Sequence, residues 1–111
     1  MKYNFEITGD FARDFARLAK TRKTLSKEFD EFLSEFDHTR GDFIPKTSGA
    51  QKIRMRAAGR GKRKGYRIIY YFVRENTVHF LAIYSKAIKE DLSAAECKRI
   101  RELVAHIKGK R

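Results

Sequence analysis

The segment GYRIIYYFVRENTVHFLAIYS, residues 65–85, decides the fold of this chain. Residues 66–73 are aromatic and β-branched, which is typical of a central strand, and residues 77–85 have the same character. Glu75 and Asn76 lie between the two runs and supply the chemistry of a tight turn. The segment therefore predicts two consecutive strands, joined by a short turn, in the middle of a sheet.

A third strand is predicted just before this segment. Residues 52–56, KIRMR, alternate strictly, so that their three cations share one face of the strand while Ile53 and Met55 face the other. Residues 59–65 between the strands form a glycine-rich basic loop. The loop lacks the Gly-Lys-Ser/Thr ending of a nucleotide-binding P-loop and is followed by a strand, which argues against that kind of site.

The rest of the chain predicts helices and one more strand. Residues 2–7 alternate as a short strand, residues 11–22 and 24–37 have amphipathic helical spacing, and residues 93–96 form a capping box before a last helix. The order β-α-α-β-β-β-α predicts a single α+β domain over residues 1–111. We expect a twisted antiparallel sheet with the N-terminal helical hairpin on one face, a basic surface on the other, and a C-terminal helix.

The charge of the chain is concentrated in the predicted sheet. The net charge is +12, yet the flanks nearly balance, and no Asp or Glu occurs between Phe43 and Arg74. A solvated outer face usually mixes both signs, so a block of one sign favours contact with a polyanion such as nucleic acid. The cations of this block are Lys46, Lys52, Arg54, Arg56, Arg60, Lys62, Arg63, Lys64, Arg67 and Arg74.

Composition excludes several other kinds of site. Cys97 is the single cysteine, so no internal disulfide and no cysteine-based zinc cage is expected, and the three histidines are too far apart to suggest a metal cluster. We expect no cofactor. No apolar run suggests a signal peptide or a membrane span, which favours a cytoplasmic protein without membrane contacts. Without a carboxylate pair, any catalysis would depend on cations and tyrosines, a set suited to phosphodiester chemistry.

Three motifs carry a resemblance to a known family. Residues 52–56, the basic loop with the following GYRIIYYF (residues 65–72), and IYSK (residues 83–86) followed by DLS (residues 91–93) are together similar to the RelE/ParE superfamily of bacterial toxins, and most to its HigB branch. The resemblance implies a toxin of a type II toxin–antitoxin pair that cleaves mRNA on the ribosome without a metal. The ribose 2′-hydroxyl would attack the adjacent phosphate. The implied partners are an antitoxin, often a helix-turn-helix DNA-binding protein, the mRNA, and the ribosome with its 16S rRNA.

The resemblance also implies residue roles. Lys52 and Arg54 would bind or activate the region of the scissile phosphate, and Arg67 would stabilise the transition state. The chain has Ala87 and Ser93 where RelE has a further arginine and a catalytic tyrosine, which leaves the general base open among Lys86, Lys89, Tyr70 and Tyr71. The predicted catalytic set is Lys52, Arg54, Arg67, Lys86 and Tyr71. The predicted RNA-binding set is Arg56, Arg60, Lys62, Arg63, Lys64 and Lys89.

Two alternative functions fit the same sequence. A non-catalytic module that binds RNA or the ribosome would explain the charge without an organised site. An inhibitor of gyrase, similar to ParE, would share the fold, but the pattern of Lys52, Arg54 and Arg67 argues against it.

Overall fold

The computed structural model describes residues 3–56 and 65–109, and these residues form five strands and three α-helices. In chain order the elements are β1 (Asn4–Ile7), α1 (Gly9–Ala19), α2 (Leu25–Ser34), β2 (Asp42–Phe43), β3 (Gln51–Met55), β4 (Tyr66–Val73), β5 (Thr77–Ser85) and α3 (Ala94–Gly109). A single turn of 3-10 helix, His38–Arg40, precedes β2. The predicted α+β architecture is confirmed, with the short strand β2 as an addition.

The strands form one mixed sheet in the order β1-β5-β4-β3-β2. The pairs β5–β4 and β4–β3 are antiparallel, as predicted, and the additional strand β2 pairs antiparallel with β3, but β1 pairs with β5 in parallel. Parallel neighbours need a long crossover connection, and the chain between β1 and β5 supplies one. The sheet is therefore mixed and not wholly antiparallel.

Helices α1 and α2 cover one face of the sheet. Phe80, fully buried, lies at the centre of this core, and four phenylalanine rings from β1, the two helices and the segment just after α2 have centroids 5.6 to 5.8 Å from its own. These rings are Phe5, Phe11, Phe29 and Phe36. Aromatic side chains bury large apolar areas and prefer such tilted contacts, so this cluster fixes the helical hairpin on the sheet.

The opposite face of the sheet differs from the prediction, because α3 packs on it. Ile100 and Val104 of α3 are buried in a second core with Ile69, Leu81 and Tyr84 of the central strands. The basic side chains therefore share this face with a helix instead of forming an open surface. The predicted capping box begins α3: the Ser93 hydroxyl accepts from the Glu96 N–H at 3.1 Å, and the Glu96 carboxylate accepts from the Ser93 N–H at 2.8 Å.

A β-bulge interrupts the pairing of β4 with β5. Ile69 lies opposite Ala82 and Tyr70 lies opposite Phe80, so Leu81 is the extra residue on β5. Without it, the two-residue period would put Tyr84 on the same face as Phe80, towards the helical hairpin. The bulge shifts the period by one residue and brings Tyr84 to the α3 face.

None of the helices among the described residues is long and apolar enough to span a membrane.

Candidate functional site

Three side chains form a transverse row across the middle of the sheet. In the strand register Arg54 of β3 lies opposite Arg67 of β4, and Arg67 lies opposite Tyr84 of β5. Side chains directly opposite each other share one face, with their β-carbons about 4.5–5.5 Å apart. Arg54, Arg67 and Tyr84, which we call the transverse row, thus place two guanidinium groups and a phenol side by side on the α3 face.

Arg67 is the most constrained member of the row. Its side chain is half-buried, and its Nε is buried and has no hydrogen-bond partner among the described residues. A buried donor without a partner destabilises a fold by about 1–3 kcal/mol, and two like charges on opposite strands add to this. No carboxylate in the described part of the chain lies within ion-pair distance of Arg54 or Arg67. An anion between the two guanidinium groups would satisfy both.

Lys52 lies beside the row on the same face of β3, two residues from Arg54 and therefore about 7 Å from it along the strand. It is partly exposed, and its Nζ lies 3.7 Å from a carboxylate oxygen of Asp91, in the segment before α3. The Asp91 side chain is 77 % exposed, so this ion pair is weak and can exchange with another anion. Lys52 is therefore available to a phosphate that reaches the row.

A turn after β5 brings a second lysine to the other end of the row. The N–H of Lys89 donates to the Ser85 carbonyl at 3.2 Å, and the Lys89 ammonium lies 4.8 Å from the centroid of the Tyr84 ring. The same ammonium forms an ion pair with Glu96. Burial raises the pKa of Glu96, but the hydrogen bonds from Lys89 and from the Ser93 backbone outweigh it, so the pKa of this carboxyl lies below its usual value.

The phenol of Tyr84 is held neutral at physiological pH. Burial raises its pKa above the usual value for tyrosine, although the nearby positive charge of Arg67 acts in the opposite direction. The ring is 8 % exposed and lines a cleft of about 310 Å³ between β5, α1 and α3. The residue combines a fixed ring with access to the cleft.

Comparisons with known proteins identify the family of the chain and relatives of its fold. Residues 11–110 match the family described as the RelE toxin of the RelE / RelB toxin-antitoxin system. The chain belongs to the RelE toxin family. The structure of E. coli toxin RelE, solved as a mutant in the free state, is similar in fold, with a TM-score of 0.52 and 23% sequence identity. The match covers 90% of this chain and 99% of that one. This chain is thus a toxin of a toxin–antitoxin family.

The structure of this RelE-family toxin brings together only part of the residue set predicted from sequence. Lys52, Arg54, Arg67 and Lys89 lie on or beside the transverse row. Lys86 follows β5, where its N–H donates to the Gly65 carbonyl at 3.1 Å. Arg56 is exposed just beyond β3. The predicted RNA-binding residues Arg60, Lys62, Arg63 and Lys64 lie outside the described residues.

Two tyrosines considered as general base are placed apart from the row. Tyr71 is on the same face of β4 but four residues from Arg67, about 13 Å along the strand, where Lys108 lies 5.8 Å from its ring centroid. Tyr70 is fully buried on the face of the helical hairpin, and its hydroxyl donates to the His38 carbonyl at 2.7 Å. Burial raises the pKa of Tyr70 to about 12, so it is a structural residue and no base.

Tyr84, Asp91 and Glu96 were not assigned to the site from sequence. Tyr84 was missed because of the bulge at Leu81. A regular alternation along β5 predicts that Tyr84 lies on the face of the helical hairpin, whereas the bulge places it on the α3 face. The capping box indicates a hydrogen bond for Glu96 but not its ion pair with Lys89. No group of three metal-binding side chains occurs within residues 3–56 and 65–109.

Proposed function

We propose that this chain is a toxin that cleaves mRNA on the ribosome and so arrests translation, by metal-free attack of a ribose 2′-hydroxyl on the adjacent phosphodiester. We also place it in the HigB-like branch, on the motifs in residues 83–93. The observation that carries the proposal is the transverse row, in which the Arg67 Nε is buried without a partner beside a second arginine. Buried polar groups are nearly always hydrogen-bonded, so a buried donor without a protein partner supports a role in ligand binding.

The chemistry assigns each cation a task. In this reaction the phosphorus passes through a pentacoordinate, more negatively charged arrangement, and fixed cations in a site that excludes water stabilise that charge strongly. Arg67 would bind the non-bridging oxygens at the transition state. Arg54, which is more exposed, and Lys52 would hold the phosphate in place before reaction. Guanidinium groups suit this task because their planar forks donate two hydrogen bonds to one phosphate.

The ribosome would supply what the site lacks. Arg54 is exposed and the transverse row is open towards β3, so the chain by itself makes few contacts with an RNA strand. An enzyme gains much of its rate from orienting the reacting groups, and a ribosome-bound mRNA arrives already oriented. Arg56, Lys86 and the basic loop at residues 59–65 would contact ribosomal RNA, in keeping with the net charge of +12. An antitoxin with an acidic segment would neutralise the same surface.

The proposal is tested by expressing the chain in bacteria and mapping mRNA ends by primer extension. The wild-type chain should arrest growth and produce cuts within translated codons, and Arg67→Met should abolish both. Arg74→Met is the matched control, because Arg74 belongs to the same acid-free block but lies seven residues from Arg67, just after β4. Growth arrest with intact mRNA would refute the cleavage: ribosome binding alone would then indicate an RNA-binding module, and DNA damage a gyrase inhibitor.

A further inference from the structure

The ring of Tyr84 belongs to the second core, but its hydroxyl is not used in that packing. It lies at the end of the transverse row, opposite Arg67, and the bulge at Leu81 is what turns it to this face. The Lys89 ammonium lies 4.8 Å from its ring centroid, so Tyr84 lies between Arg67 on the neighbouring strand and Lys89 in the turn after β5. No described residue forms a hydrogen bond with the Tyr84 hydroxyl. A neutral donor without a partner, beside a phosphate site, points to a role in the reaction.

The proposed reaction needs a proton donor as well as cations. When the 2′-oxygen attacks, the bond from phosphorus to the 5′-oxygen breaks, and the departing 5′-alkoxide is a very strong base. A group that protonates it in the transition state accelerates such a step by about 10²–10⁴-fold. Arg54 and Arg67 are poor donors because a guanidinium does not give up its proton in a protein. Lys52 is assigned to binding the phosphate, and Lys89 is held in an ion pair with Glu96.

We infer that Tyr84 is the general acid of this site and donates its phenolic proton to the departing 5′-oxygen. The inference rests on the proposed function. The 2′-oxygen forms its bond to phosphorus as the bond to the 5′-oxygen breaks, and the electron pair of that bond passes to the 5′-oxygen, which takes the Tyr84 proton. The proton of the 2′-hydroxyl leaves to water. The products are a 2′,3′-cyclic phosphate, a 5′-hydroxyl and a Tyr84 phenolate.

The surroundings of Tyr84 suit both states of this cycle. Before reaction the buried phenol stays protonated, because burial raises its pKa. After proton transfer, the positive charge of Arg67 stabilises the phenolate until it recovers a proton from water, while the carboxylates of Asp91 and Glu96 act in the opposite direction. The ring is held in the core next to Ile100 and therefore does not need to be ordered during the reaction.

Tyr84→Phe separates this role from packing, since it removes the hydroxyl and keeps the ring and its contact with Lys89. In single-turnover cleavage of ribosome-bound mRNA, we expect the variant to be at least about 100-fold slower than wild type. Tyr3→Phe is the control: it also removes a phenolic hydroxyl, one that accepts from the His38 N–H at 3.1 Å on the other face of the sheet, and it should leave the rate unchanged. Urea unfolding of each variant verifies the fold.

A second substrate decides what the hydroxyl does. With sulfur in place of the bridging 5′-oxygen, the leaving group is a thiolate, which departs without a proton. Tyr84→Phe should then cleave within about threefold of wild type. If Tyr84→Phe cleaves ordinary RNA at the wild-type rate, Tyr84 is only a core residue. If the variant is equally slow on both substrates, Tyr84 is a positioning residue. Either result overturns the inference and leaves the proposed function intact. If the wild-type chain cuts neither substrate, the proposed function itself fails.

Discussion

Replacing Arg67 by methionine should stabilise the fold while it abolishes cleavage. The change removes the buried Nε that has no partner in the described structure, a defect worth about 1–3 kcal/mol. It also removes the repulsion from Arg54 on the neighbouring strand, worth about 0.2–1 kcal/mol. Methionine keeps an unbranched apolar stem of similar length, so little packing is lost. We expect the free energy of unfolding to rise by about 1–2 kcal/mol.

Equilibrium unfolding in urea measures this gain, and a second variant separates its two parts. Arg54→Met removes the same repulsion but no buried donor, because Arg54 is exposed. Its gain should be smaller than about 1 kcal/mol and should vanish at about 500 mM salt, where exposed charges are screened. The gain from Arg67→Met should persist at high salt. In thermal unfolding it should appear as a rise of roughly 4–8 °C per kcal/mol.

Unfolding of Arg67→Met at a lower urea concentration than wild type would refute this explanation. Equal gains in both variants that both disappear at high salt would also refute it, because the buried Nε would then carry no penalty. In either case the half-buried arginine would be an ordinary member of the sheet, and the main observation behind the proposed site would be lost.

Three further predictions concern the stability of the scaffold. Glu28→Gln should lower the free energy of unfolding, measured in urea, by about 2–4 kcal/mol. The reason is that the nearly buried Glu28 carboxylate accepts from Arg22 Nη2 at 2.6 Å. A loss below about 1 kcal/mol would contradict this. Gly41→Ala should lower the melting temperature, because its β-carbon would lie 2.1 Å from the Tyr70 hydroxyl oxygen. The same change in a Tyr70→Phe background should lower the melting temperature less, and equal losses would refute this account. The pKa of Tyr70 is raised from 10.0 to about 12, so its contribution to stability is complete below pH 10 and is lost as the pH rises through 12. Tyr70→Phe should lack this alkaline decrease in urea unfolding, and an identical decrease in both proteins would exclude Tyr70 as its source.

Local patterns in the sequence predicted the elements well, because their causes are local. The aromatic and β-branched runs at residues 66–73 and 77–85 became β4 and β5, and the capping box at residues 93–96 starts α3. The parallel pairing of β1 with β5 could not be predicted in this way. It depends on contacts between residues more than 70 positions apart, such as the Asn4 N–H that donates to the Asn76 carbonyl at 2.8 Å.

The candidate site was predictable only where alternation is unbroken. Lys52 and Arg54 share a face because β3 is regular, and the sequence shows that directly. The pairing of Arg54 with Arg67 depends on the register of β3 against β4, which follows from the connection between the strands and not from either strand alone. The position of Tyr84 on the α3 face could not be predicted, because it depends on the extra residue Leu81 and neither composition nor spacing in β5 marks the position of a bulge.

The acids near the candidate site lie at its two ends and not at its centre. Asp91 and Glu96, from the segment before α3 and its first turn, pair with Lys52 and Lys89 at the two ends of the site. These pairs reduce the repulsion that the whole block would otherwise generate. Arg54 and Arg67 between them have no carboxylate within ion-pair distance among the described residues, so no ion pair compensates their charge there. A phosphate would therefore be drawn to the transverse row, where the Arg67 Nε has no partner among the described residues and a neutral phenol is adjacent.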